Sequence, residues 1–342
     1  MRKGKNIAKD VLLTNPDSNH RVIIPLYIPN EDDYYKDAFT IFSYCLSSIH
    51  KTSVSNIKVS VISNGCCNSV NGKLLQLQAE RSIHELIIEK ENVGKINSIL
   101  KALRTAEERL ITITDADVLF DNNWEDEVLA VFKAFPKAGA VSPVPVFRTH
   151  FRLTSNIWFN YLFSSRLKFR PVKDPESMTL FANSIGWPWL DIKYKDVIAT
   201  IKGKDNTIAV MGSSHFVCTY KREVFTNMPK NNSIYKLGGN SEFLYTDLPV
   251  VIAGGYRLAT YGNYAYHLGN VLEDWMTEKF TMLKTETKRL QNIEGLKKLS
   301  SRPLYYFFTE KVFRKIFRHP FICKNILKRK GLSDKQLNDL LK

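Results

Sequence analysis

The residues with the clearest chemical potential are Asp115 and Asp117, which follow the apolar, β-branched run Leu110-Ile111-Thr112-Ile113-Thr114 with one residue between them. A run of that composition predicts a central strand of a parallel sheet, and ligands of open α/β sheets gather beyond the carboxyl ends of such strands. Two carboxylates there suit a divalent cation of the Mg²⁺ type, which takes few protein ligands and leaves positions for the oxygens of a bound diphosphate. Alternate strand residues point to opposite faces, so both acids reach one ion only if the strand bends or ends at that point, and an ending is expected. The alternative is a solvated pair, or a cap for the following helix. That helix has a start of its own. Asn123 is placed as its N-cap, Glu125, Asp126 and Glu127 suit the positive end of its dipole, and Val128, Phe132 and Phe135 form its apolar stripe.

The elements that would position these acids are legible from periodicity. Val22 to Leu26 reads as a strand, followed by Phe39, Phe42, Leu46 and Ile49 at helical spacing. Lys58 to Ile62 is a second strand, stopped by Ser63-Asn64-Gly65. A weaker helix around Leu74 to Ala79, a strand Leu86-Ile87-Ile88 and a helix opened at Gly94-Lys95 lead to the strand before Asp115. This alternation predicts an α/β chain with a doubly wound, mixed or mostly parallel, Rossmann-like sheet flanked by helices. Residues 140 to 207 are less regular and rich in aromatics, and Trp187-Pro188-Trp189 offers either a stacking surface for an acceptor sugar or a buried loop support. Ile208 to Tyr220 reads as a strand pair or a bent strand. Three parts are expected: a lead-in over 1–20, one α/β domain over 21–270, and a basic helical C-terminal extension over 271–342.

Hydrophobic residues at 44% and charged residues at 24% of 342 describe a chain able to bury a large core. No apolar run approaches the roughly 20 residues that span a bilayer. The basic start Met1 to Lys5 is followed by Asp10 and not by a long apolar core, which makes the cytoplasmic side the expectation. Five scattered cysteines, Cys45, Cys66, Cys67, Cys218 and Cys323, lack paired spacing and are assigned no chemistry. The net charge of +15 calls for an anionic partner. From Lys311 to Lys330 eight cations interleave with apolar residues and no acid intervenes, a pattern that suits either an anionic membrane interface or a helix packed on the domain with a solvated basic face. Pro320 interrupts any single helix there.

The order Val22-Ile23-Ile24-Pro25, Ser63-Asn64-Gly65, Asn92-Val93-Gly94-Lys95, Asp115-Ala116-Asp117, Asp247 and His267 resembles the family 2 glycosyltransferases with the GT-A fold, over roughly residues 20 to 270. The resemblance implies a nucleotide-sugar donor held by Pro25, Tyr27, Glu31, Asn64, Asn92, Gly94, Lys95, Asp115 and Ala116. It implies Mn²⁺ or Mg²⁺ on Asp117 and Asp115 with His267 as a third ligand, and Asp247 as the general base for inverting transfer to a glycan or lipid-linked acceptor. Asp247 would equally serve as an N-cap, and Glu242 is the reserve base. Family members commonly have two aspartates where this chain has Ser63 and Asn64, so the base of the nucleotide stays open, with UDP the first expectation and GDP the second. Gly94 is equally explained as a helix start. A nucleotidyltransferase would show a Gly-rich phosphate loop where Ile28 to Asp33 is acidic. A non-enzymatic nucleic-acid or membrane-binding protein explains the charge but leaves the three aspartates unused, and no nucleic-acid partner is expected.

Overall fold

In a computed structural model, residues 3–11, 18–147, 149–187 and 190–341 are described. Twelve strands are assigned among them: β1 His20–Leu26, β2 Ile57–Asn64, β3 Glu85–Glu89, β4 Leu110–Thr114, β5 Val118–Phe120, β6 Ala138–Ser142, β7 Leu167–Pro171, β8 Val197–Lys202, β9 Ile208–Met211, β10 Val217–Lys221, β11 Tyr256–Thr260 and β12 Ala265–His267. Ten of them form one sheet in the order β3-β2-β1-β4-β10-β6-β11-β9-β8-β7. The first four are parallel, with helices α1 Ala38–Thr52, α2 Asn68–Ala79 and α3 Lys95–Thr105 as crossovers. Beyond β4 the sheet is mixed. β10 is antiparallel to β4 and β6, β6 and β11 are parallel, and β9, β8 and β7 add antiparallel pairs. The stretch 208–220, expected as a pair or one bent strand, is two strands that lie apart in the sheet with β6 and β11 between them.

The two-residue period of the strands divides the core into layers. Along β1, Val22, Ile24 and Leu26 enter one cluster with Phe42, Trp124 and Phe132, and Ile23 enters the other with Ile99, Leu103 and Ile113. Both faces of β1 are covered, which is why the strand reads as a continuous apolar run. One side also carries a buried polar network. His20 bonds Glu125 through Nδ1 at 2.6 Å and Thr112 through Nε2 at 2.7 Å. Glu125 accepts from the backbone N–H groups of Val54 and Ser55 at 2.8 and 2.9 Å. Its burial acts upward on the carboxyl pKa, but the bonds from His20 and Ser55 outweigh it and hold the group at about 2. Glu125 therefore ties α4 (Trp124–Ala134) to the sheet and does not simply face the helix dipole. Asn123 differs from expectation too: it is left-handed, with φ 66°, and its side chain caps nothing. The turn instead closes through Asp121, whose carboxylate accepts from Asn122 N–H.

The segment after residue 270 is wound onto the sheet domain. Glu286 and Arg289 donate backbone N–H groups to Lys51 and Val54, and Ile293, Leu296, Phe317, Leu327 and Leu337 join the main core. Helical stretches run over Pro303–Phe317 and, after a break at Pro320, over Pro320–Arg329 and Asp334–Leu341. Among the described residues, no helix is long and apolar enough to cross a membrane.

Candidate active site

Strand β4 ends at Thr114, and Asp115-Ala116-Asp117 forms a turn before β5 begins at Val118. The turn escapes strand alternation, so both acids face one cleft of about 490 Å³ at the carboxyl ends of the parallel strands. β12 pairs with β5 antiparallel and sets His267 opposite Val118, which brings the histidine to the turn from the far end of the domain. Single ligand atoms from Asp115, Asp117 and His267 lie within 4.8 Å of one another.

The charges of this cluster are unbalanced. Lys95 Nζ is 2.5 Å from Asp115 Oδ1 and 3.9 Å from Glu242 Oε1. Burial alone would lower the lysine pKa, but the Asp115 and Glu242 carboxylates raise it, so its charge is secure. One ammonium thus faces Asp115, Asp117 and Glu242. Burial, followed by repulsion from Asp115, pushes the Asp117 carboxyl above its ordinary value. Among the described residues, Asp117 Oδ1 is buried without a hydrogen-bond partner. His267 Nε2 stands 3.4 Å from Asp117 Oδ2, and its Nδ1 is 2.9 Å from the Ser184 hydroxyl. That hydroxyl donates its hydrogen to Phe181 O, so it accepts from His267 Nδ1–H and leaves the Nε2 lone pair facing Asp117. An imidazole lone pair beside a carboxylate whose other oxygen is unpartnered is a donor set that suits Mn²⁺ or Mg²⁺.

Of the positions expected to bind the donor, Pro25, Tyr27, Asn64, Asn92, Lys95, Asp115 and Ala116 line the cleft with Asp117. Glu31 does not. It is held away by Lys73 at 2.5 Å and by the Ser69 hydroxyl at 2.8 Å, and those two contacts lower its pKa. Gly94 is also absent from the lining and has a packing role. With φ 96°, it lets Lys236 approach so closely that an added Cβ would sit 2.9 Å from Lys236 Cα. The first N–H of α3, on Lys95, is then spent on Lys236 O at 2.9 Å and is not presented to a phosphate. The Asn64 side-chain oxygen accepts from Val93 N–H at 2.8 Å. Gly65, with φ 79°, turns the chain after β2 where a Cβ would sit 2.7 Å from Asn92 N.

Asp247 departs most from its expected place. It is 0% exposed, within a helical turn that continues into Leu248–Ile252, and it caps nothing. Its Oδ1 is 2.7 Å from Nη2 of buried Arg257, and its Oδ2 is 3.3 Å from His215 Nε2. Burial raises its pKa to about 6 against the pull of Arg257 and Arg152. The same burial, with Arg257 and Arg152, lowers His215 to about 3. Asp247 therefore has the proton affinity of a base without access to the cleft, whereas Glu242 is partly exposed and faces Lys95.

Residues 35–186 match the model of the family described as glycosyl transferase family 2. That match covers a little under half of the chain. No curated protein matches the chain. Among solved structures it is similar to a mannosyltransferase, PcManGT from Pyrobaculum calidifontis, in complex with GDP-Man and Mn²⁺: identity is 16%, with 94% of this chain and 78% of that chain covered and a TM-score of 0.41. At that level the likeness carries no argument about donor or metal.

The cleft is also lined by residues that periodicity did not single out. Tyr34 and Tyr35 border Tyr27 on one side, Lys236 and Leu237 close the other, and Gly269 and Asn270 follow His267. Lys236 and Leu237 lie in an aperiodic polar stretch, where no spacing signals a site. The Trp187-Pro188-Trp189 surface lies partly outside the described residues. Trp187 is described, and packs its ring 5.5 Å from Phe147.

Proposed function

We propose that this chain is a metal-dependent inverting glycosyltransferase that transfers a sugar from a nucleotide-sugar donor to a hydroxyl of a glycan or lipid-linked acceptor. The observation that carries this reading is the convergence of Asp115, Asp117 and His267 beside a cleft of about 490 Å³, with both aspartates inside the segment that matches glycosyl transferase family 2. Those three residues would hold Mn²⁺ or Mg²⁺, which supplies a positive charge for the departing diphosphate. The donor lies along Pro25, Tyr27, Asn64, Asn92 and Ala116, with Lys95 as a fixed cation able to turn from Asp115 to a phosphate oxygen.

Transfer is a single in-line displacement. The acceptor oxygen bonds to the anomeric carbon from the face opposite the diphosphate, the carbon–oxygen bond to phosphate breaks with its electron pair, and the acceptor proton passes to a carboxylate. Glu242 is the favoured recipient, because it reaches the Lys95–Asp115 pair while Asp247 is enclosed with Arg257. The pKa of about 6 at Asp247 supports the second reading, in which a rearranged Arg152–His215 wall exposes it.

A panel of UDP-, GDP- and dTDP-sugars, scored for thermal stabilisation with and without Mn²⁺, tests the donor and its coupling to metal. Stabilisation by one nucleotide only with Mn²⁺, and its loss in Asp117→Asn, is expected. Glu242→Gln should lower turnover by about 10²- to 10⁴-fold with donor binding retained. A larger loss in Asp247→Asn than in Glu242→Gln, with both variants binding donor, would move the base to Asp247.

A further inference from the structure

The helical stretch Pro303–Phe317 has two apolar faces, and only one is used. Phe313 and Phe317 turn inward, Phe317 lying 4.9 Å from the Trp158 ring, and Glu310 is buried where it accepts from Ser155 N–H and the Ser155 hydroxyl at 3.0 Å each. The outward face repeats at i, i+4, i+8 and i+12 through Leu304, Phe308, Val312 and Ile316, with Phe307 beside it. Leu304 is 84% exposed and Ile316 57%, and Phe321 at the start of the next helix is 74% exposed. A helix packed on a domain normally shows polar residues on its outer side, so this face is an exception that calls for a partner.

Its charge says which one. Lys311 and Lys315 fall on the same face at i+7 and i+11 from Leu304, and Arg318 and Lys324 follow, all exposed. Between residues 303 and 330 the sole acid is Glu310, which is buried. Long lysine stems can lie along an apolar surface while their ammonium groups reach a phosphate layer. Near the helix start, Lys137 Nζ stands 5.8 Å from the Tyr305 ring. We infer that the Leu304–Ile316 face is a docking surface for an anionic phospholipid bilayer, lying in the plane of the interface with its aromatics in the acyl boundary and its lysines at the headgroups. The proposal is independent of the identity of the sugar donor.

Flotation of the full chain with vesicles of phosphatidylcholine alone, and of phosphatidylcholine mixed with phosphatidylglycerol, tests it. Binding to the mixed vesicles, weakened by salt and weak with phosphatidylcholine alone, is expected. Phe308→Ser with Ile316→Ser should reduce binding by at least roughly tenfold. Lys311→Ala with Lys315→Ala should reduce it by about 30-fold. Lys311, Lys315 and Ile316 are at the surface and Phe308 is about half exposed against the Phe159 ring, so an unchanged unfolding temperature verifies that each variant is folded. Absence of flotation with the mixed vesicles, or flotation unaffected by both pairs of substitutions, would overturn the proposal. A concentration-dependent dimer that the same serine variants dissolve would overturn it in favour of a second copy on this face.

Discussion

At the residue scale the site is a problem of charge. Asp115 and Glu242 share the Lys95 ammonium, and one Asp117 oxygen is buried with no proton donor among the described residues. An arrangement that costs stability by itself is retained where a ligand completes it. The orientation of His267 depends on Ser184, whose hydroxyl fixes which ring nitrogen carries the proton. Ser184→Ala is therefore expected to weaken Mn²⁺ affinity by roughly 10- to 100-fold, read by calorimetric titration, with little change in the unfolding temperature. Equal loss of stability and affinity would assign Ser184 a structural role alone.

At the element scale, the cleft is built by close approaches between segments far apart in the chain. The 235–236 segment reaches the start of α3 only because position 94 has no side chain and a positive φ. Lys236 closes the cleft from this segment. Gly94→Ala strains the backbone and pushes the segment outward, which should cost about 1–3 kcal/mol of stability and raise the donor dissociation constant together. Chemical denaturation and donor titration on the same variant check this. The β5–β12 pair acts similarly for the metal ligands: its register, His267 opposite Val118, is what brings the imidazole to Asp117. An alteration of register by one residue would turn His267 to the other face.

At the scale of the whole molecule, the polar network beneath the sheet sets the response to acid. Glu125 is held at about 2, well below the ordinary 4.5, so the native state binds its proton less tightly than the unfolded chain does. The stability it contributes is complete above about 4.5 and is lost as pH falls from there toward 2. His215, lowered to about 3 from 6.5, acts in the same direction, its contribution being complete above 6.5 and lost on the way down. Asp247 is raised to about 6 from 3.8 and opposes both, since its buried charge destabilises the fold as pH rises through that window. The urea midpoint should therefore fall steeply below pH 4.5. In Glu125→Gln it should start lower at neutral pH, by about 3–5 kcal/mol of stability, and decline less between 4.5 and 2.

Much of this was legible in one dimension, because strands and crossovers write local periods into the chain. Val22 to Leu26 is apolar on both faces since both are covered, and the abrupt change from Thr114 to Asp115 marks a strand leaving the core for the cleft. The helix start at Gly94-Lys95 was legible and set Lys95 at the same sheet edge, expected to meet a phosphate; its pairing with Asp115 came from the packing. Other features depended on long-range geometry. Glu31 looks like a cleft residue in sequence, yet Lys73 one helix away draws it outside. Asn123 has the composition of a cap, but its turn places it in the left-handed region. Asp247 and Glu242 are five positions apart on a helical segment, and only the packing of Arg257 decides which one is enclosed. The basic C-terminal stretch left two readings open because its apolar residues fall on two faces; the domain covers the Phe313–Phe317 side, touches Phe308 through Phe159 and leaves Leu304 and Ile316 outside. Sequence determined what could be locally buried or exposed and which groups carry charge. Tertiary structure alone decided which distant charges meet, because that depends on strand register and close packing across the chain.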